Sequence, residues 1–350
     1  MRKKLFPLGV VVIVLIGFGL FLHKQGQPKE PQILNEFAMN TFFRATLPAN
    51  VSAKEKAKLV DELHRLDALL DRFNPLSDIS RINLGAPEAV EVNPLTWQIT
   101  KDALGLAAKT GGKFDPTIGP LVDLWGLTTH HGMLEQITNK SSPWEPPSQD
   151  EINKILPLVD YGLVELWDNP YRIKLPKSGM VLDLGGIAKG FVLDRMVYWL
   201  KQQGHSFALI DFGGDVMAYG QHPEGRPWKL GVRHPRKPDE MIAVLQISNR
   251  AVVTSGDYQR YRTYNGQRFS HLVDPDLGWP AQELTSVTIV APTGIVADAL
   301  STAIFIMGKE NGQALIESWP GIEGVIVDAG MEVWYSKGLE GFISFPPKER

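Results

Sequence analysis

The sequence predicts an α+β fold with mixed or antiparallel sheets and flanking helices. Strand-like segments occur in runs with helical segments interspersed, rather than in strict βαβ alternation. The composition agrees, because 43% of the 350 residues are hydrophobic and 21% are charged, as in ordinary globular proteins. The sequence contains no internal repeat. This length provides for one large domain or two modest ones.

The N-terminus has the pattern of a membrane segment. Residues 1–4 (Met-Arg-Lys-Lys) are positive, and residues 5–22 are apolar apart from glycines and one proline. This apolar length approaches the roughly 20 residues that span a bilayer, and the positive end is expected to stay in the cytoplasm. Residues 21–25 make a poor cleavage site, which favours an uncleaved anchor over a cleaved signal peptide, the alternative.

Three parts are therefore expected along the chain. Residues 1–23 form a signal anchor, residues 24–34 a polar linker with prolines, and residues 35–345 one domain. The expected location is the cytoplasmic (inner) membrane, crossed once, with the domain on the periplasmic side.

Charge and cysteine content exclude several classes of function. The net charge is −3, and no basic stripe interleaved with aromatic residues is present, so nucleic acid is not expected as a partner. The chain has no cysteine, which excludes disulfides, thiolate metal sites, a cysteine nucleophile and a lipid-anchored N-terminal cysteine.

Helix and strand patterns divide the first half of the domain. Ser52 and Glu55 form a capping-box pattern ahead of leucines at three- and four-residue spacing, which predicts a helix. Ser148 and Glu151 predict the start of a second, short helix. The expected elements are a strand over 37–47, the helix after Ser52, a turn over 77–83, a helix over 94–109, an irregular apolar stretch over 113–126 and the short helix up to residue 156.

The second half is expected to be richer in strands. A glycine-rich turn after residue 183 precedes a helix that ends at Gly204. The other expected elements are strands over 206–210, 228–232, 241–247 and 251–254, a polar stretch over 255–280, a strand over 286–290, helices over 296–307 and 312–319, and strands near residues 325 and 333.

The stretch from Val181 to Gly190 combines an apolar run, two glycines and Lys189. It predicts a strand, a glycine-rich turn and a helix start, with Asp183 at the strand end. Amides at a helix N-terminus favour an anion, and Lys189 adds positive charge, so the turn suits a phosphate or diphosphate. The alternative is a tight strand-to-helix connection that binds nothing.

Asp298 and Thr302 lie four residues apart on an apolar helix and so share one face. A carboxylate and a hydroxyl placed this way suit Mg²⁺, which takes few protein ligands and completes its shell with water and phosphate oxygens. The alternative is that Asp298 caps its own helix while Thr302 bonds back to the Asp298 carbonyl.

His271 and Asp274 lie beside a turn proline and could supply a base and its orienting partner. A hydrogen-bonded turn at a strand end is the alternative. The small residues Ser255 and Gly256 follow a strand and would allow a ligand to approach closely.

These motifs resemble those of the ApbE flavin transferases. They occur in the order and spacing of that family, and the resemblance covers about residues 35–345. The matching stretches are Met39-Asn-Thr41, Phe73-Asn-Pro-Leu-Ser-Asp-Ile-Ser-Arg-Ile-Asn83, residues 113–126, Asp183-Leu-Gly-Gly-Ile-Ala-Lys-Gly190, Asp211-Phe-Gly-Gly-Asp215, Thr254-Ser-Gly-Asp-Tyr258, Ser270-His-Leu-Val-Asp-Pro275 and Asp298-Ala-Leu-Ser-Thr302.

The resemblance implies an ApbE-like fold and an FAD:protein FMN transferase. Such enzymes use Mg²⁺ and FAD, attach FMN through a phosphoester to a threonine of a partner protein and release AMP. The implied acceptors are flavoprotein subunits such as those of sodium-pumping NADH:quinone oxidoreductase or Rnf-type complexes. A Mg²⁺-dependent FAD pyrophosphatase giving FMN and AMP, and a non-catalytic exported FAD-binding protein, are the alternatives.

The resemblance also implies roles for individual residues. Gly186, through its carbonyl, is implied to hold Mg²⁺ together with Asp298 and Thr302. His271 is implied to lie near the incoming threonine hydroxyl, with Asp274 or a metal-bound water as the alternative proton acceptor. The implied FAD contacts are Met39, Phe73, Lys113, Phe114, Asp115, Asp183, Lys189, Ser255, Gly256 and Leu272.

Three positions depart from the family pattern. Asn40 replaces the usual glycine, Phe73 replaces a tyrosine, and Lys113 replaces a small residue, usually alanine. The changes leave the implied metal site intact and affect only the FAD contacts. Many relatives are lipoproteins, which a chain without cysteine cannot be.

Overall fold

A computed structural model of the protein describes residues 30–127 and 144–346. Eight α-helices occur in this part of the chain. They are α1 (Ala53–Leu70), α2 (Asp78–Gly85), α3 (Pro94–Lys109), α4 (Gly119–Leu124), α5 (Gln149–Ile155), α6 (Ala188–Gln202), α7 (Gly294–Met307) and α8 (Lys309–Ser318).

The strands form one large sheet and three small ones. They are β1 (Gln32–Ala38), β2 (Thr41–Leu47), β3 (Val90–Glu91), β4 (Glu165–Asp168), β5 (Tyr171–Lys174), β6 (Ala208–Phe212), β7 (Asp215–Tyr219), β8 (Trp228–Arg233), β9 (Met241–Ile247), β10 (Arg250–Gly256), β11 (Tyr261–Tyr264), β12 (Gln267–Ser270), β13 (Leu284–Ala291), β14 (Glu323–Asp328), β15 (Val333–Tyr335) and β16 (Ile343–Ser344). The large sheet has the order β1-β2-β6-β7-β10-β13-β14-β15, and every strand pair in it is antiparallel.

Helices cover one face of the large sheet and a small sheet covers the other. The main apolar cluster joins α1, α6 and α7 to one face, while strands β8 and β9 pack on the opposite face through a second cluster. Strand β13 is buried along its whole length because it lies between these two layers. The predicted α+β class with antiparallel sheets and flanking helices is confirmed.

The helix predicted after Ser52 is confirmed, and so is the short helix after Ser148. In both cases the serine side chain accepts from the backbone of the residue three positions on, and the glutamate there bonds back to the serine amide. The predicted helix over 94–109 has the same bounds in the structure, with Asn93 as its N-cap. Side-chain caps therefore fixed these starts locally.

The single strand predicted over 37–47 is wrong, because the segment is a hairpin. Ala38 pairs with Thr41, which leaves Met39 and Asn40 as a two-residue loop with φ of 47° and 58°. Two successive positive φ angles define a type I′ turn, which matches the twist of the flanking strands. Asn40 tolerates this conformation, so it can replace the glycine of the family pattern without loss of the turn.

Two further predictions in the first half are corrected. The turn predicted over 77–83 is helix α2, because Ser77 caps it and Ile79 and Ile82 bury one face at three-residue spacing. The stretch over 113–126, predicted to be irregular, contains the short helix α4.

Predictions in the second half also need correction. The apolar run before Asp183 forms only one bridge, from Val181 to Ile118, since the side chain of Asn83 occupies the backbone groups of Leu182. The polar stretch over 255–280 contains the hairpin β11–β12. Strand β7 was not predicted. It pairs with β6 after the turn at Gly213.

The predicted anchor lies outside the described residues. Within the part of the chain that the structure describes, no helix has the length and hydropathy of a membrane span.

Candidate functional site

The site is built where the N-terminal turns of α6 and α7 touch. A Cβ atom on Gly190 would lie 2.2 Å from the carbonyl oxygen of Gly294, so the two backbones are in direct contact. Carboxylates bind across this contact in both directions. Asp194 on α6 accepts from the amides of Gly294 and Ile295, and Asp298 on α7 accepts from the amide of Gly190 at 3.0 Å. These bonds satisfy helix N-terminal donors and fix Asp298 in place.

We expect Gly190→Ala to destabilise the protein by about 1–3 kcal/mol, because the new methyl group cannot fit between the two backbones. Gly105→Ala, in the exposed face of α3, is the matched control. No atom lies within 4 Å of a Cβ there, so this change should stabilise the protein by about 0.5–1 kcal/mol. Urea unfolding of both variants measures the two effects, and equal effects would contradict the close helix contact.

Two of the amides in the predicted phosphate cradle bind groups of the protein itself. The amide of Ala188 donates to the carbonyl of Leu184, and the amide of Gly190 donates to Asp298. A carboxylate of the protein thus takes the place that a free anion would occupy at the N-terminus of α6.

The three predicted metal ligands lie together. Gly186 lies against Thr302, since a Cβ on Gly186 would be 3.5 Å from the Thr302 hydroxyl. Asp298 lies one turn before Thr302 on α7. The alternative role for these two residues is not observed: α7 begins at Gly294, and Ser301 rather than Thr302 donates to the Asp298 carbonyl.

These three oxygen donors suit a hard cation that keeps much of its hydration shell. Within residues 30–127 and 144–346, no cluster of three or more His, Asp or Glu side chains could hold a metal. One carboxylate, one hydroxyl and one carbonyl leave positions for water and phosphate oxygens, which Mg²⁺ prefers. Oδ2 of Asp298 is bound by Gly190, and Oδ1 lies 4.0 Å from the Lys189 ammonium nitrogen. The residues therefore fit Mg²⁺ and place a second positive charge beside it.

Lys189 forms an ion pair with the buried carboxylate of Asp215. Burial alone would lower the pKa of Lys189, but Asp215 and Asp298 outweigh it and raise that pKa. Burial raises the pKa of Asp215 above its ordinary value, against the opposing effect of Lys189. The ammonium group stays charged and is held toward Asp298 by its partner.

Asp183 is held by Arg72. One oxygen of Asp183 accepts from the amide of Gly185 at 2.8 Å, and the other lies 3.2 Å from Nε of Arg72. Arg72 is almost fully buried and also pairs with Asp123. Two acidic groups thus neutralise this guanidinium.

Phe73 lines a cavity of about 390 Å³ beside this ion-pair group. The guanidinium of Arg72 lies 4.7 Å from the centre of the Phe73 ring, a cation–π contact. Leu84 and Val181 form apolar walls of the same cavity. An aromatic ring system of a ligand would find both apolar surface and a polarised phenyl ring here.

His271 is a neutral histidine with a defined tautomer. Burial lowers its pKa well below the ordinary value, and the positive charges of Arg260 and Lys189 act in the same direction. Its Nδ1 lies 3.2 Å from the carbonyl oxygen of Arg260. A carbonyl can only accept, so Nδ1 carries the hydrogen and Nε2 keeps a lone pair. This is the protonation state of a general base.

Asp274 is engaged elsewhere. Both of its oxygens accept from the ammonium group of Lys113, at 2.9 and 2.8 Å, and Asp276 binds the same ammonium group. Among the described residues, the one hydrogen bond of the His271 ring goes to the Arg260 carbonyl and not to Asp274. The predicted base-and-orienter pair is therefore replaced by His271 held by a backbone carbonyl, and Lys113 is occupied by two carboxylates.

The other predicted FAD contacts fall into two groups. Phe114 and Ser255 lie at the site, since Phe114 contacts Gly186 and the Ser255 hydroxyl lies 3.4 Å from that of Thr302. Buried Asp115 accepts from Thr117 and Tyr161, which stabilises its own loop.

Three predicted contacts have packing roles in the structure. Leu272 is buried in the main apolar cluster. A Cβ on Gly256 would lie 2.5 Å from the Tyr258 ring, so glycine lets that ring pack. Half-buried Met39 lies in the β1–β2 turn and packs against the main cluster.

Sequence reasoning missed three charged residues at the site: Arg72, Asp215 and Arg260. Each is one or two positions from a residue that was singled out or lies at the end of a quoted motif. Their roles depend on partners in other segments, such as Asp183 for Arg72 and Lys189 for Asp215. Adjacency to a motif was the only available signal.

Comparisons with known proteins agree on one family. A profile described as the ApbE family matches residues 39–326. The FAD:protein FMN transferase of Treponema pallidum is 30% identical over 95% of this chain and 93% of its own. That of Escherichia coli K12 is 29% identical over 90% of both chains.

Solved structures show the same similarity. The ApbE protein of Thermotoga maritima has a TM-score of 0.80 at 32% identity, covering 89% of this chain and 99% of its own. The flavinyl transferase ApbE of Pseudomonas stutzeri has a TM-score of 0.76 at 26% identity, covering 89% and 96%.

Proposed function

Since this chain belongs to the ApbE family, we propose that it moves FMN from FAD to a threonine hydroxyl of an acceptor flavoprotein and releases AMP. It is an enzyme of this flavin transferase family. The observation that carries the proposal is that Gly186 and Lys189 meet Asp298 and Thr302, which lie more than a hundred residues later in the chain. The neutral His271 lies within the field of Lys189.

In the proposed reaction the threonine oxygen attacks the phosphorus of the FMN half of FAD. A bond forms from that oxygen to phosphorus, and the bond from phosphorus to the AMP oxygen breaks. Nε2 of His271 accepts the hydroxyl proton, because its lone pair is free and its ring is neutral. No nucleophile on the enzyme is required.

Asp298, Thr302 and the Gly186 carbonyl would hold Mg²⁺, which when bound neutralises charge on the diphosphate. Lys189, fixed by Asp215, adds a positive charge on the same side. We assign the flavin ring system to the cavity beside Phe73 and Arg72, because that cavity offers apolar surface. The diphosphate and the flavin of FAD thereby each receive groups of matching chemistry.

We propose an exported or membrane flavoprotein subunit as the acceptor, such as those of sodium-pumping NADH:quinone oxidoreductase or Rnf-type complexes. The basis is the N-terminal pattern in residues 1–23, which would place the domain on the periplasmic side of the cytoplasmic membrane. Protease added to spheroplasts should digest the domain, and protection until the membrane is lysed would overturn this location.

The activity is tested by incubating the full chain with FAD, Mg²⁺ and an acceptor domain that carries the target threonine. We expect a fluorescent acceptor band in a denaturing gel, absent when the acceptor threonine is replaced by valine or when a chelator is present. FMN and AMP without a labelled acceptor would instead establish the pyrophosphatase. Unchanged bound FAD would establish simple binding.

A further inference from the structure

The charges at the site leave one cation without a protein partner. Among the described residues, three cations interact electrostatically with Asp183 or Asp298. Arg72 interacts with Asp183, Lys189 with Asp298, and Arg260 with both. Arg72 is paired with Asp123 and Asp183, and Lys189 is paired with Asp215. The charges of Arg72 and Lys189 are therefore partly neutralised by carboxylates of the protein.

Arg260 differs from the other two. In residues 30–127 and 144–346 its guanidinium makes no hydrogen bond or ion pair, although it lies near enough to Asp183 and Asp298 to feel both charges. The residue is accessible to solvent, yet the surrounding protein desolvates the guanidinium enough to lower its pKa. An exposed guanidinium whose five N–H donors have no partner among the described residues is open to bind an anion.

The backbone of Arg260 ties its position to the reacting groups. Its carbonyl oxygen accepts from the backbone amide of His271 at 3.1 Å and from ring Nδ1 of His271 at 3.2 Å. The backbone of Arg260 is therefore held next to His271, and its charge acts on both His271 and Asp298. An anion between His271 and Asp298 would be within its field.

We propose that Arg260 is a catalytic residue that binds the diphosphate of FAD through its guanidinium and stabilises the charge that develops on the transferred phosphoryl group. The proposal rests on the proposed function for the identity of the anion. Guanidinium presents paired N–H donors that match two phosphate oxygens, which a lysine ammonium cannot do. The same contact would hold the phosphorus in line with the hydroxyl that His271 deprotonates.

Replacing Arg260 tests this assignment through activity and through binding. We expect Arg260→Ala to lower kcat/KM for FMN transfer by about 100-fold and to weaken the binding of ADP with Mg²⁺, measured by calorimetry. Arg260→Lys should recover only part of both losses, and added guanidine should partly rescue the alanine variant. Arg65→Ala, an exposed arginine on α1 that pairs with Glu62, is the control and should match the wild type.

The two measurements distinguish failure of the proposed function from failure of the role proposed for Arg260. Wild-type labelling of the acceptor tests the proposed function by itself, and ADP binding tests Arg260 even if no transfer is found. Transfer and ADP affinity of Arg260→Ala within about threefold of the wild type would overturn the proposal. A lower melting temperature with unchanged ADP affinity in both Arg260 variants would also overturn it, because that result assigns Arg260 a purely structural role.

Discussion

Asp298→Ala is expected to reduce FMN transfer by about 10³-fold. The change removes the only carboxylate among the three proposed metal ligands, and it also leaves the amide of Gly190 without its acceptor. Steady-state transfer and Mg²⁺ binding by calorimetry should both be lost. Normal activity in this variant would refute the proposed metal site.

Asp298→Asn separates the two roles of this side chain. Asparagine retains an oxygen that can accept from Gly190, but it lacks the charge that binds Mg²⁺. We expect the asparagine variant to unfold at a urea concentration close to that of the wild type and still to be inactive. A variant that is destabilised as much as Asp298→Ala would show that charge, rather than hydrogen bonding, joins α6 to α7.

His271→Ala is expected to lower kcat by about 10²–10⁴-fold while leaving FAD binding nearly unchanged. The ring supplies a lone pair at Nε2, and its other nitrogen is held by a backbone carbonyl. Added imidazole should restore part of the activity, because it can diffuse to the vacated position. A large rise in the Kd for FAD without a change in kcat would assign His271 to substrate binding instead.

The pH profile follows from the lowered pKa of His271. A base works only when unprotonated, so acid inactivates it as pH falls through its pKa. Burial, with Arg260 and Lys189 facing the ring, puts that pKa well below 6.5. We therefore expect kcat/KM to show no acid limb near pH 6.5 that depends on His271. A limb centred there in the wild type, and missing in His271→Gln, would contradict the neutral, desolvated histidine.

Local sequence signals predicted the long elements of this fold well. Capping boxes and leucine spacing located the starts of α1 and α5, because the side chains that cap a helix lie within three residues of its start. The hairpin was missed because Met39 is not a typical turn former and Asn40 is not followed by the glycine of the Asn-Gly turn signal. The strand predicted before Asp183 is reduced to a single bridge. The side chain of Asn83, about a hundred residues earlier, binds the backbone groups of Leu182 that a neighbouring strand would have used.

The site was predictable only where its residues stand in motifs. Spacing placed Asp298 and Thr302 on one helical face, and the structure brings Gly186 beside Thr302. The charge pairing could not be read from spacing. Lys189 with Asp215 and Lys113 with Asp274 are contacts between distant segments, and each changes which side chains remain available to a ligand.

The measurement that tests the central claim most directly is intact-mass and peptide mass spectrometry of the acceptor, with AMP quantified in the same reaction. We predict a mass increase of one FMN phosphoester on the target threonine and one AMP for each labelled acceptor. AMP and free FMN in equal amounts with an acceptor of unchanged mass would contradict transfer to protein by this chain.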